Sequence, residues 1–314
     1  MKKITGIVLA AAVVLFAAGC QKKTAGGALT VGIIQLVEHP ALDAACKGFI
    51  DGLAEAGYKD GESIIIDYQN AQGEQANCVT IANKFVNDKD DLILAIATPA
   101  AQAVAQLTSE IPILITAVTD PATANLVETN ERPGKNVTGT SDLTPVAAQI
   151  DLLRTILPDA RTVGLMYCSS EQNSVFQIQL AKDACDKAGL RYVEGSVSNS
   201  NEIQQVTQSL VGKVDAIYIP TDNMLAAGMP LVAQVANENR IPTVVGENGM
   251  VQSGGMVTYG INYYELGKQT AAQAVQILRD GASPADMPIE YLERCDLAVN
   301  EDSLAAVGVT LPEL

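Results

Sequence analysis

The 314-residue chain contains no tryptophan, only 4% aromatic residues and a single histidine, His39. A Ser-His-Asp or Cys-His arrangement would have to use that one imidazole, and no Gly-x-Ser-x-Gly elbow is present. A metal site would lack histidine partners, and no C-x-x-C or Cys/His spacing takes their place. Cations are scarce as well. With 20 Lys and Arg against 36 Asp and Glu the formal charge is −16, so no basic stripe exists to neutralise nucleic-acid phosphates. These absences disfavour an enzyme and a nucleic-acid binder, and no metal or cofactor is expected.

What is present is a globular α/β composition, 48% hydrophobic and 18% charged, in a chain long enough for two domains. Residues 1–20 are set apart from it as a targeting segment. Lys2 and Lys3 precede the apolar run Ile4–Phe16, which is short for a membrane span, and Ala17-Ala18-Gly19-Cys20 forms a small-residue cleavage site. The segment resembles a bacterial lipoprotein signal, with Ala17 where such signals usually carry Leu, and the resemblance implies that Cys20 is lipidated. Residues 21–28 then read as a flexible tether. Five further cysteines, Cys46, Cys78, Cys168, Cys185 and Cys295, cannot all pair within one chain; up to two bridges or buried free thiols are both compatible with the pattern.

The stretch from Asp91 to Val104, DLILAIATPAAQAV, organises the rest. Leu92–Ala97 reads as a buried parallel strand, Thr98 as a helix N-cap and Pro99 as the first helical residue. The free amides of Ala100 and Ala101, with the Thr98 hydroxyl, then make an anion site at a helix N-terminus, or simply an ordinary cap. A second strand, Ile113–Val118, ends likewise in Thr119-Asp120-Pro121. Upstream, strands Leu29–Leu36 and Ser63–Tyr68 alternate with helices starting at Pro40 and Gln75, which gives a parallel sheet with right-handed crossovers.

After the pause at Arg132-Pro133-Gly134 and a short strand Asn136–Thr140, the rhythm restarts. Helices Pro145–Leu157, Val175–Ala188, Glu202–Leu210 and Leu225–Asn239 alternate with strands Thr162–Tyr167, Arg191–Val197, Asp215–Ile219 and Thr243–Val245. A strand Met256–Tyr259, a helix Leu266–Arg279, a linker Gly281–Pro288 and a terminal strand at Ala298-Val299 follow. KAGLRYVEG…VDAIYIPTDN echoes EAGYKDGESIIID…DLILAIATPA, so Thr221-Asp222-Asn223 is the counterpart of Thr98-Pro99-Ala100. The expected architecture is α/β: two similar lobes, each a parallel sheet flanked by helices, enclosing a cleft at their strand ends. Chain passages between them are expected at Thr140–Asp142, Tyr259–Asn262 and near Met287–Ile289. Lobe 1 is then 29–141 with 261–287, and lobe 2 is 142–260 with 288–314.

The segments GIIQLVEHPALDAACKGFIDGL, DYQNAQGEQ, AIATPAAQAV, TAVTDP, VTGTSDLTP, VDAIYIPTDN and VGENGMVQSGGMVTYGINYYELG carry a family resemblance. The chain is similar to the substrate-binding lipoproteins of ABC transporters with the type I periplasmic-binding fold, in the branch associated with tryptophan and other aromatic amino acids. The resemblance implies a monomeric receptor outside the cytoplasm, anchored to the membrane by its lipidated cysteine. It would close over a small ligand and deliver it to a membrane permease driven by a separate ATPase. A sensor that presents its closed form to a signalling partner, or a receptor for another small polar ligand, is the alternative.

An α-amino acid offers a carboxylate, which needs hydroxyl and N–H donors, and an ammonium, which needs a fixed carboxylate. Thr98, Ala100 and Thr119 are the candidates for the first, and Asp142 and Asp222, with Glu247 in reserve, for the second. Gln35, Asn173, Ser174 and Asn223 are placed to orient the ligand or latch the lobes, and Pro99, Ala117, Asp120, Ser141 and Thr221 belong to the same strand ends. Glu38 lies in a turn, Glu38-His39-Pro40, which the resemblance places at the cleft rim; a surface turn starting a helix reads equally well there. Asp120 could instead cap a turn before Pro121, and Asp222 the helix after Pro220.

Overall fold

The computed structural model describes residues 28–312. Cys20, the leader and nearly all of the 21–28 tether lie outside the described residues. The first lobe begins β1 (Leu29–Gln35), α1 (Pro40–Glu55), β2 (Ile64–Asn70), α2 (Gln75–Asp88), β3 (Leu92–Ile96), α3 (Thr98–Ala105), β4 (Ile113–Val118) and β5 (Val137–Ser141). The second contains α4 (Val146–Ile156), β6 (Thr162–Cys168), α5 (Gln172–Ala188), β7 (Arg191–Val197), α6 (Ile203–Leu210) and β8 (Ala216–Ile219). It continues with α7 (Asn223–Ala227), α8 (Met229–Glu238), β9 (Thr243–Val245), α9 (Asn248–Gln252) and β10 (Val257–Gly260). The chain closes with α10 (Tyr263–Asp280), β11 (Glu290–Tyr291), β12 (Asp296–Val299) and α11 (Glu301–Val307).

The two sheets have the same strand order, β11-β5-β4-β3-β1-β2 and β12-β10-β9-β8-β6-β7, so the internal echo in the sequence is an echo of topology. Every pairing is parallel except β12 against β10, an antiparallel edge that the alternating pattern alone does not distinguish. Strand β3 is wholly buried because every residue from Leu92 to Ile96 is apolar, and helices cover both its faces. In the second lobe Tyr218 is wholly buried and satisfies its hydroxyl by donating to Gln149 Oε1 at 2.9 Å.

Three passages connect the lobes. The first leaves β5 at Ser141 and enters α4; the second leaves β10 at Gly260 and enters α10, which packs back on α1. That packing needs two glycines: a Cβ on Gly48 would lie 2.0 Å from the Tyr264 carbonyl oxygen, and one on Gly267 2.0 Å from that of Ala45. The third passage corrects the expected boundary. Glu290 and Tyr291 pair with Thr140 and Ser141 in the first sheet, so the crossing falls between Tyr291 and Asp296, not near Met287–Ile289, and residues 288–291 belong to lobe 1.

Other expectations shift locally. Ala97, at φ +82°, holds the cap position before α3; Thr98 is the first helical residue and its hydroxyl caps nothing. The helix expected over Leu225–Asn239 is broken at Gly228, where Pro230 cannot donate its backbone N–H and a Cβ would meet Ile203 at 2.4 Å. Short α9 and α11 and strand β11 were too brief for periodicity to mark. The five cysteines among the described residues are free thiols, four of them buried. No helix among the described residues is long and apolar enough to cross a membrane.

Candidate ligand-binding site

In an open parallel sheet the carboxyl ends of the strands flanking a switch in strand order form a crevice. Here two such crevices face each other, and a small, tight cavity lies between them. From the first lobe and the passages it receives His39 and Leu42 after β1, Ala117 at the end of β4, Asp142 after β5 and Tyr263 after β10. The second lobe contributes Asn173 after β6, Thr221, Asp222, Asn223 and Ala226 after β8, and Glu247 after β9. Ala117, at φ +54°, is one of two non-glycine strand ends in lobe 1 held in left-handed backbone, the other being Ala97.

The electrostatics are one-sided. Asp142, Asp222 and Glu247 are all buried, and no lysine or arginine is buried among the described residues. Tyr263 donates to Asp142 Oδ2 at 2.7 Å, while Asp142 Oδ1 is buried without a partner. Burial raises the Asp142 carboxyl, and the Tyr263 hydrogen bond opposes it. Glu247 caps α9 through Gly249 and Met250, and burial pushes its carboxyl up to about 7. Asp222 also caps a helix, accepting from Leu225 N–H at 2.8 Å and from Cys168 N–H at 2.6 Å. Burial, with the nearby Glu171 charge, raises Asp222 too.

His39 is neutral at pH 7, because burial lowers its imidazole to about 4. The ring lies beside the Asn223 amide, but the geometry falls short of a hydrogen bond and both nitrogens are unpartnered. Asn173 Oδ1 is a further buried acceptor without a partner. Buried polar atoms are almost always satisfied in proteins, so a group of orphans around one cavity marks a place for a ligand's own polar groups.

Of the residues singled out in the sequence, Ala117, Asp142, Asn173, Thr221, Asp222, Asn223 and Glu247 line the cavity. Thr98, Pro99 and Ala100 do not; they stand at the α3 N-terminus with the Thr98 hydroxyl buried and unpartnered. Thr119 also lies outside, sharing a 3.3 Å hydrogen bond with Thr221 across the lobes. Gln35 is turned to Asp43 and Val37, and Ser141 to the Thr119 carbonyl at 2.7 Å. Asp120 accepts from Thr123 N–H at 2.7 Å, the turn-capping alternative, and Ser174 accepts a hydrogen bond from Asn173. Glu38 is exposed while its neighbour His39 is buried, so the turn enters the site through the histidine. Leu42, Ala226 and Tyr263 were not singled out: on helices their apolar positions are indistinguishable from core.

A family model described as ABC transporter substrate binding protein matches residues 30–314. The chain belongs to the ABC transporter substrate-binding protein family. It is thus a binding protein for a small ligand and not an enzyme, of a kind that works outside the cytoplasm. A tyrosine-binding protein of Clostridioides difficile (strain R20291) is 46% identical over 279 residues, covering 89% of this chain and 81% of that protein. A solved structure from Streptococcus pneumoniae in complex with L-Trp is 38% identical, with a TM-score of 0.88 over 91% of this chain and 97% of that one. The ligand-free, open structure of a substrate-binding protein with adhesive properties from Clostridium difficile is 49% identical, yet its TM-score is 0.70, over 91% and 96%. The lobes of this chain are therefore arranged more like those of the L-Trp complex than like those of the open protein that is nearer in sequence.

Proposed function

We propose that this protein captures an aromatic amino acid, tyrosine or tryptophan, between its lobes and delivers it to a membrane permease powered by a separate ATPase. The observation that carries the reading is the set of buried acceptors around the cavity, Asp142 Oδ1 and Asn173 Oδ1 beside Glu247 and Asp222, with no buried lysine or arginine among the described residues to balance them. An ammonium group supplies both the missing charge and the missing donors. Leu42, Ala226 and Tyr263 provide apolar wall for a side chain. The tyrosine-binding and L-Trp-bound relatives support the aromatic class.

Calorimetry on ligand-stripped protein with tyrosine, tryptophan, phenylalanine, leucine and glutamate tests this. Burying a large apolar side chain contributes about 1.5–3 kcal/mol, so the aromatics should outrank alanine-sized ligands by one to two orders of magnitude. If leucine or glutamate binds more tightly than all three aromatics, the ligand class is wrong. The anchor is proposed to be Cys20: Cys20→Ser should abolish membrane retention or leave the leader uncleaved, and unchanged retention and processing would refute it.

A further inference from the structure

Glu171 is a buried acid beside the cavity that the reading above leaves unused. It precedes α5 and gathers four donors: Asn223 Nδ2 at 2.5 Å, Asn223 N–H at 3.2 Å and Asn173 Nδ2 at 3.3 Å on Oε2, and Met224 N–H at 3.0 Å on Oε1. Burial raises the Glu171 carboxyl and these donors oppose it; the oxygens accept all four bonds, so both asparagine amides turn their NH₂ groups toward it. The Thr221 carbonyl, 3.1 Å from Asn173 Nδ2, enforces the same orientation. The other end of each amide is then an acceptor. Asn173 Oδ1 is buried without a partner, and both side chains line the cavity.

We propose that Glu171 is a positioning residue for ligand selection: by holding the NH₂ groups of Asn173 and Asn223 it turns their carbonyl oxygens outward, so that this wall of the cavity accepts hydrogen bonds and selects ligands that donate them. The inference rests on the amino-acid reading and adds the source of its discrimination. A glutamine at 171 can donate as well as accept, which frees either amide to rotate and present NH₂ to the cavity.

The test compares L-tryptophan with indole-3-propionate, which keeps the ring and carboxylate but lacks the ammonium. In Glu171→Gln, affinity for tryptophan should fall about tenfold or more, as for loss of a hydrogen bond to a charged group, while indole-3-propionate binds as before or better. A purely structural role would weaken both together. The side-chain amide ¹⁵N–¹H signals of Asn173 and Asn223 should move in the same variant. Should Glu171→Gln fail to fold, Asn173→Leu, which removes one acceptor and leaves Glu171 in place, should lower the same ratio. An unchanged ratio in a folded variant, or amide signals that do not move, overturns the proposal. If the wild-type protein binds neither tryptophan nor tyrosine, the amino-acid reading has failed, and the amide signals alone decide whether Glu171 sets the orientation.

Discussion

Tyr263 and Asp142 meet across two of the three interlobe passages: the tyrosine opens α10 just after the second, the aspartate follows β5 at the first, and their hydrogen bond is 2.7 Å long. The bond joins the hinge to the cavity. It occupies Oδ2 and leaves Oδ1 buried without a partner.

Tyr263→Phe removes the donor and keeps the ring. Asp142 then loses the hydrogen bond that opposes its desolvation, so its carboxyl should rise further. Affinity for the amino acid at pH 7 is expected to fall about five- to tenfold, and the midpoint of its pH dependence to move up. Calorimetry across pH 5.5–8.5, stepped by roughly half a unit, resolves both effects. A loss of affinity with no movement of the midpoint would argue that the hydroxyl matters for packing alone.

Stability of the ligand-free protein should depend on pH in a definite direction. Glu247 has its carboxyl raised from its ordinary 4.5 to about 7, so between those values the folded state binds more protons and stability falls as pH rises. His39, lowered from 6.5 to about 4, acts oppositely: its contribution is fully present above 6.5 and is lost as pH falls through 4. Below 6.5 the histidine offsets the acids; above it the raised acids, Glu247 and Asp222, remain. Thermal melting should therefore drop from pH 6.5 to 8, and an ammonium ligand, which favours the ionised acids, should bind more tightly at pH 8 than at pH 6. Melting points that rise over that range would contradict the assignment.

Gln177 ties the lobes together beside the site acids. Its Nε2 donates to Thr221 Oγ1 at 2.6 Å in the second lobe and to Thr119 Oγ1 at 3.2 Å in the first. Gln102 of α3 and Gln172 of α5 make a second crossing at 2.7 Å. Because these bonds exist only when the lobes are together, Gln177→Leu should favour the open form. Small-angle scattering should show a larger radius of gyration for ligand-free variant than for ligand-free wild type, with the difference vanishing at saturating ligand. Equal radii without ligand would mean that the bonds follow closure without contributing to it.

The architecture was legible because its signals are long-range and redundant. β3 and β8 are continuous apolar runs, and the spacing of strand, helix and Ala-Gly stop repeats in both halves. The acids that line the cavity were legible too, since Asp142, Asp222 and Glu247 follow buried strands. Which of the strand-end hydroxyls would face the cavity was not. Thr98 misses it because Ala97 takes a left-handed turn and moves the helix start by one residue. Thr119 misses it because Thr221 claims its hydroxyl from the other lobe, a partner 102 positions away. His39 was legible only through the family resemblance, which places its turn at the cleft rim; locally it is a turn before proline, and the Asn223 it lies beside is far away in sequence.

The absence of tryptophan from the chain makes the central claim directly measurable. When L-tryptophan is titrated with ligand-stripped protein, the ligand is the only indole in solution. Its emission should shift to the blue and gain anisotropy with saturable stoichiometry as the ring leaves water, and Asp142→Asn should weaken the transition about ten- to a hundredfold by removing a charge-assisted partner of the ammonium. No change in emission or anisotropy at millimolar concentration, with tyrosine and phenylalanine also failing to compete or bind in calorimetry, would contradict capture of an aromatic amino acid between these lobes.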